Sequence, residues 1–333
     1  METGLRKNRL LSLFGKKGAL LILILFIVFN IVVTPHFFSM GTFNNLIIQM
    51  TPVLLTGLGL TWVIASGGID VSVGSVMALA SIISAKAMVP TAEIVGTGGW
   101  GWCLPAGLAM VIGIVVGMLV GVLMGVIIAK FHIQPIVVSL AFMISIRGIA
   151  QIINDSMMLE FHDPAYTFIG RQRLFGTIPI QFLIMVIAIV VIWFVSNRMA
   201  IGRYVQSVGG NFTASYLMGI KTTFIIILVY AVSAFFASVA GIIKTAELSA
   251  ADANGIGLLI EMDAIAAVVI GGTPMNGGRP KILGTVTGAI IIVLVNISVN
   301  MNNIPFAYAQ VFKAIIIVLV LWTQNMNIKR QGA

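Results

Sequence analysis

Charge is what this sequence has least of. Of its 333 residues only 9% are Asp, Glu, Lys or Arg, against roughly 25% in an ordinary soluble domain, while 59% are hydrophobic. A mean hydropathy of +1.10 points the same way, and a soluble fold is excluded on composition. Cysteine is nearly absent: Cys103 alone excludes an intrachain disulfide and any multi-cysteine metal site. The three histidines, His36, His132 and His162, are far apart at span ends or in loops, so no metal site is expected. There is no Gly-x4-Gly-Lys-Ser/Thr loop, so the chain has no P-loop with which to bind ATP. Serines within apolar stretches have no His and Asp near them in sequence, which leaves no hydrolase arrangement. The chain is read as a non-enzyme.

What is there is apolar and long. Runs fall at residues 18–33, 46–65, 71–89, 104–129, 136–153, 178–195, 224–243, 262–270, 282–299 and 306–322. A spanning helix takes about 20 such residues, so the expected fold is all-α, a polytopic bundle of about ten transmembrane helices in one permease domain, residues 1–333. The run at 262–270 is too short to cross alone, and is either a tilted span borrowing its flanks or a re-entrant segment. No small-x-small cleavage site follows the first run, which is therefore read as a retained span.

The net charge of +9 and pI near 9.9 come from basic residues that flank apolar runs, so they report topology and no nucleic-acid partner is expected. With ten crossings and a cytoplasmic N-terminus, the inner segments hold Arg6, Lys7, Arg9, Lys16 and Lys17 in a basic stretch 1–17. They also hold Lys130, Arg198, Arg203, Lys221, Arg279, Lys281, Lys329 and Arg330. The outer segments hold Glu93, Asp155, Glu160, Asp163, Glu247 and Asp252, with Arg171 and Arg173. This bias favours both termini in the cytoplasm of a bacterial inner membrane.

Few ionisable groups fall inside the runs. Arg147 is the deepest, and pairing with an acid or capping of carbonyls both remain open for it. Lys86 and Lys313 are expected to snorkel toward the interface, with Asp70, Glu261 and Asp263 nearer span ends. Gly113, Gly117, Gly121 and Gly125 lay a smooth face along the fourth run for close helix packing. No fixed internal repeat is visible.

Two glycine-rich junctions read as hinges: residues 65–74, with Gly67, Gly68 and Asp70, and residues 269–281, with Gly271, Gly272, Gly277 and Gly278. Asp70 or Ser72 is expected to cap the helix that follows. The long segment 200–223 is expected to be cytoplasmic. After a flexible Gly209–Gly210 pair, Asn211 would cap a short helix through Met218, ended by Gly219, with Ala214, Leu217 and Met218 on an apolar face suited to a partner's groove.

Four stretches in one order, SGGIDVSVGSVMALA at 66–80, Arg147-Gly148 after its apolar helix, GRYVQSVGGNFTASYLMGI at 202–220, and EMDAIAAVVIGGTPMNGG at 261–278 with LGTVTGA at 283–289, resemble the membrane permeases of ATP-binding cassette importers for simple sugars, the ribose, xylose, arabinose, galactose and galactofuranose group. The resemblance implies the fold of the larger importer permeases and a second permease subunit, the same or different, around a central pathway. It further implies a cytoplasmic ATP-binding subunit that uses ATP and Mg, and an extracytoplasmic sugar-binding protein. No cofactor is expected in this chain itself, and membrane lipid surrounds it. By the matching segment, Asn211, Ala214, Leu217, Met218 and Gly219 are expected to couple to the ATPase. Asn45, Gln49, Trp62, Asn296 and Asn300 are candidates for the substrate pathway, from hydroxyl-bonding or aromatic chemistry near or within spans. The alternatives are an ion-coupled secondary transporter, or an importer permease for branched-chain amino acids or nucleosides.

Overall fold

The structure, a computed structural model, describes residues 20, 23–89, 101–305 and 307–318. The basic stretch 1–17, Glu93, Lys329 and Arg330 lie outside the described residues. Thirteen helices are described: α1 (Leu23–Val33), α2 (Met40–Ala65), α3 (Val73–Met88), α4 (Ala106–Phe131), α5 (Pro135–Ile153), α6 (Pro164–Arg171), α7 (Gln181–Arg198), α8 (Ala200–Gly210), α9 (Phe212–Leu217), α10 (Thr222–Leu248), α11 (Ile260–Ile270), α12 (Ile282–Met301) and α13 (Ala307–Val318). Ten of these coincide with the ten apolar runs. The other three, α6, α8 and α9, lie between spans. Two short antiparallel pairs complete the order: β1 (Leu159–Glu160) with β4 (Ala250–Ala251), and β2 (Arg173–Leu174) with β3 (Ile178–Pro179).

Helix α2 is the axis of the bundle. At 26 residues it is about 39 Å long, and α7, α10, α11 and α12 pack around it, leaving its most apolar window 89% buried. The peripheral helices show the reverse, with apolar side chains such as Leu25, Val32, Ile144 and Ile152 turned outward, as lipid-facing surface requires. Among the described residues six helices are long and apolar enough to cross a membrane, and the protein is a multi-pass helical membrane bundle. The glycine face of α4 packs as expected: Gly117, Gly121 and Gly125 lie against Ser238, Tyr230 and Ile227 of α10, and Gly113 against Ala80 of α3.

Two of the ten apolar runs, both wholly within the described residues, form helices too short to cross alone. Helix α11 has 11 residues and rises about 16 Å, half of a roughly 30 Å hydrocarbon core. It packs antiparallel along the first part of α12, Ala267 against Gly288 and Gly271 against Gly284. Residues 252–259, which precede it, are non-helical. Helix α3 is the counterpart: it follows the later part of α10, Met77 beside Gly241 and Ser81 hydrogen-bonded to Thr245, and residues 66–72 before it are non-helical. The order long helix, non-helical segment, short helix therefore occurs twice, at α2–α3 and α10–α11. Because α2 and α10 run in opposite senses, the two short helices fill opposite halves of the bundle. The short run at 262–270 is thus half the length of a crossing, preceded by a series of turns with positive φ at Gly257 and Leu259.

Candidate functional site

One end of the bundle gathers the glycine-rich stretches. The Gly278 N–H donates to the Ala65 carbonyl at 2.8 Å, where α2 ends. Gly209 packs against the same carbonyl, and Gly277 against Gly209, so tightly that a Cβ at either glycine would overlap backbone. Gly271 lies in similar contact with Gly284. The expected flexible pair Gly209–Gly210 is instead the last turn of α8, because a bare Cα is what lets that helix end meet α2. Positive φ at Gly272, Gly277 and Gly278 gives residues 271–281 the tight turn anticipated, and Thr273 Oγ1 accepts the Lys281 N–H at 3.1 Å.

At this same end α9 projects from the bundle. Asn211 Oδ1 accepts the Ala214 N–H at 2.9 Å, and Gly219, at φ +81°, closes the helix with its N–H on the Tyr216 carbonyl. Ala214 is half-buried; Leu217 and Met218 are 79% and 72% exposed, and Tyr216, missed in the sequence, joins them at 66%. A capped helix showing three large side chains to solvent is a knob without a socket in this chain.

The first broken crossing is sealed. Asp70 is buried, and its Oδ1 accepts from the Ser72 N–H at 2.9 Å and the Ser72 hydroxyl at 2.7 Å, while Oδ2 accepts the Ser233 hydroxyl of α10 at 2.8 Å. Neither Asp70 nor Ser72 caps α3, contrary to expectation: the Asp70 carboxylate turns toward α10, and α3 begins with no side-chain cap. Gly67 adopts φ +86° in open space, and Gly68 lies under the Tyr230 hydroxyl.

The second broken crossing is strapped from two sides. Arg147 of α5 donates through Nη1 to the Ala253 and Ile256 carbonyls at 2.8 and 3.0 Å, so it caps freed backbone, with Glu261 and Asp252 close enough to attract its charge. Lys313 of α13 is 3% exposed and pairs with Asp263 at 2.7 Å. Lys86 is 1% exposed. Lys313 does not snorkel, since Asp263 holds its ammonium inside the bundle, whereas Lys86, in the last turn of α3, carries a charge that feels that of the exposed Asp155 beyond the end of α5. The two short helices meet where Gly74 touches Gly257, with the Glu261 carboxylate against the first turn of α3. There the unpaired N–H groups of a helix start favour negative charge.

A cavity of about 560 Å³ lies beside this second crossing, at the end opposite α9. Glu160 and His162 stand at its β1–β4 rim, Arg171, Lys244 and Asp252 line it, and it descends to Pro52 and Met77. Pro52 is twelve residues into α2, about 18 Å from its start.

The remaining candidates fall elsewhere. Asn45, exposed, accepts from Gln49 Nε2 at 2.9 Å on α2, and Asn296 and Asn300 are one turn apart on α12. These helix ends adjoin, since the Thr42 hydroxyl reaches Met301 Sδ. Asn296 Oδ1 is buried with no hydrogen-bond partner among the described residues, and Asn300 is exposed. Trp62 is inside the bundle, its indole N–H on the Ser196 hydroxyl at 2.7 Å, where it ties α2 to α7. Among the described residues no group of three or more His, Cys, Asp or Glu is placed to hold a metal ion.

Comparison with known proteins completes the picture. Residues 42–321 match the family described as the branched-chain amino acid transport system / permease component. The chain is 35% identical over 316 residues to the galactofuranose transporter permease protein YtfT of Escherichia coli strain K12, covering 92% of this chain and 89% of that one. It is 36% identical to the ribose import permease protein RbsC of Haemophilus influenzae, over 91% of each chain, and 33% identical to RbsC of Bacillus subtilis, over 96% of each. No solved structure matches. A multi-pass helical bundle and a family match over residues 42–321 lead to one assignment: the chain belongs to this family of transport permeases.

Proposed function

We propose that the chain is the membrane permease subunit of an ATP-binding cassette importer that carries a simple sugar, a pentose or hexose, across a bacterial inner membrane. The names of its relatives, which move ribose and galactofuranose, support the substrate class over the amino acids of the family's title. In this reading the whole chain is one permease domain with both termini in the cytoplasm. The end bearing α9, Arg198, Arg203, Lys221 and Lys281 is cytoplasmic, and the β1–β4 end faces the sugar-binding protein. A second permease subunit covers the amide-bearing faces of α2 and α12, so that the exposed Asn45 and Asn300 and the half-buried Gln49 and Asn296 look onto a shared pathway, since amides without partners are ill-suited to lipid. ATP and Mg belong to the partner ATPase, and the glycine junctions at 67–68, 271–272 and 277–278 transmit its movement.

The exposed α9 carries this reading. Leu217 and Met218 are apolar, outside the hydrocarbon and held by a capped helix, which is what a soluble partner's groove requires. Burial of each at such a contact is worth about 1.5–3 kcal/mol. The double variant Leu217→Glu, Met218→Glu is expected to insert normally, lose co-purification with the ATPase and lose sugar uptake in membranes matched for permease content. Normal uptake with the ATPase retained sinks the proposal, as does ion-gradient-driven uptake by this chain alone without ATP.

A further inference from the structure

The cavity beside the second broken crossing has walls that the packing of the bundle does not explain. Non-helical backbone at membrane depth persists where protein or water covers it, and Ser249, Ala250, Asp252 and residues 255–258 border open space. A water-filled cover would need only size. This cavity also has chemistry. Glu160 and His162 project from one strand and its extension, two residues apart and so on one face, and neither side chain has a hydrogen bond among the described residues. Asp252 spends its oxygens on the Asn254 and Gly255 N–H groups, and Arg171 anchors on the Glu247 and Leu248 carbonyls. The lining thus carries two acids and two bases, Glu160 and Asp252 against Arg171 and Lys244, so it favours neither an anion nor a cation. Met158, Leu258 and Ile260 supply apolar wall. Balanced charge, free acceptors and C–H surface together match a neutral polyhydroxylated solute, and about 560 Å³ falls inside the range of roughly 300–1,000 Å³ of small-molecule sites.

We propose that each permease chain holds its own antechamber for a monosaccharide at this cavity, with Glu160 and His162 as hydroxyl-bonding groups and the Gly74–Gly257 contact beside its floor. The proposal rests on the sugar-importer reading and places a waiting site within one subunit, apart from the shared face of α2 and α12. The test uses the whole importer in membrane vesicles, with Cys103→Ser to clear the exposed thiol and Met158→Cys as reporter. Uptake of D-ribose, D-galactose and L-leucine is measured first. The imported monosaccharide at millimolar concentration is then expected to slow modification of Met158→Cys by an impermeant methanethiosulfonate at least fivefold. Phe175→Cys, on the exposed β2–β3 turn, keeps its rate. Adding Glu160→Gln is expected to raise the protecting sugar concentration several-fold. Sugar import without protection overturns the antechamber and leaves the importer standing. Slowing at both cysteines means cover by the delivery protein and also overturns it. No sugar import, or protection by L-leucine alone, overturns both readings.

Discussion

The two broken crossings solve one problem in different ways. Each must keep a non-helical segment inside a membrane protein without stranding its polar groups. At residues 66–72 the answer comes from one neighbouring helix: a carboxylate, two serine hydroxyls and the Tyr230 hydroxyl close the segment against α10. At residues 252–259 the answer comes from the periphery: Arg147 from α5 and Lys313 from α13 brace the segment and its helix, and a cavity lies alongside. A segment sealed by its neighbours is fixed for as long as they are packed. One braced by charges from peripheral helices moves when those helices move. The braces of the second junction are therefore where the comparison breaks first.

The largest effect is expected at the Lys313–Asp263 pair. Side-chain exposures of 4% and 16% place both groups inside the bundle, and removing one partner leaves the other charge uncompensated, at a cost of about 3–5 kcal/mol. Lys313→Ala and Asp263→Ala should each lower the thermal unfolding midpoint of the purified protein sharply. The double variant should lose less than the two single losses added together. Strict additivity would show that the pair does not brace α11.

A smaller loss is expected at the sealed junction. Asp70→Ala leaves the Ser72 N–H and the Ser233 hydroxyl without their acceptor, worth about 1–3 kcal/mol for buried groups left unpaired. Asp70→Asn keeps one carbonyl oxygen and should fall between it and the parent in the same unfolding measurement. If Asp70→Ala costs as much as Lys313→Ala, the contrast between a hydrogen-bonded seal and an ion-paired brace is lost.

What sequence alone disclosed follows the range of the interactions. All ten apolar runs became helices, and α9 formed as read, because Asn211, Gly219 and the hydropathy of each run act within a few residues. Helix α6 carried an equally local signal, Asp163 as cap with Pro164 after it, that was passed over. The half-crossings were less legible: hydropathy is the same whether an apolar stretch is helical throughout or half extended. Least legible were the side-chain partners. Ser233 is 163 residues from Asp70, Asp263 is 50 from Lys313, and Ala253 is 106 from Arg147, so Lys313 reads as snorkelling and Asp70 as a cap. The cavity exists only because β1 finds β4 across some ninety residues.

The finest contrast lies inside the sealed junction, between adjacent glycines that the sequence treats alike. A Cβ on Gly68 would stand 2.5 Å from the Tyr230 hydroxyl and 3.3 Å from Val63, both held by packing. Gly68→Ala should therefore carry an overpacking cost of about 1–3 kcal/mol. A Cβ on Gly67 meets nothing within 4 Å, and its only constraint is φ +86°. Gly67→Ala should then cost about 1–2 kcal/mol from the left-handed backbone alone. Gly67→Asn, whose short polar side chain tolerates that region, should recover most of it. Unfolding midpoints and sugar uptake of the three variants separate the causes. Recovery by asparagine at 67 means the position is a backbone turn and the seal begins at Gly68. No recovery means that Gly67 itself must move during transport, and the sealed junction would then share the mobility assigned to its partner.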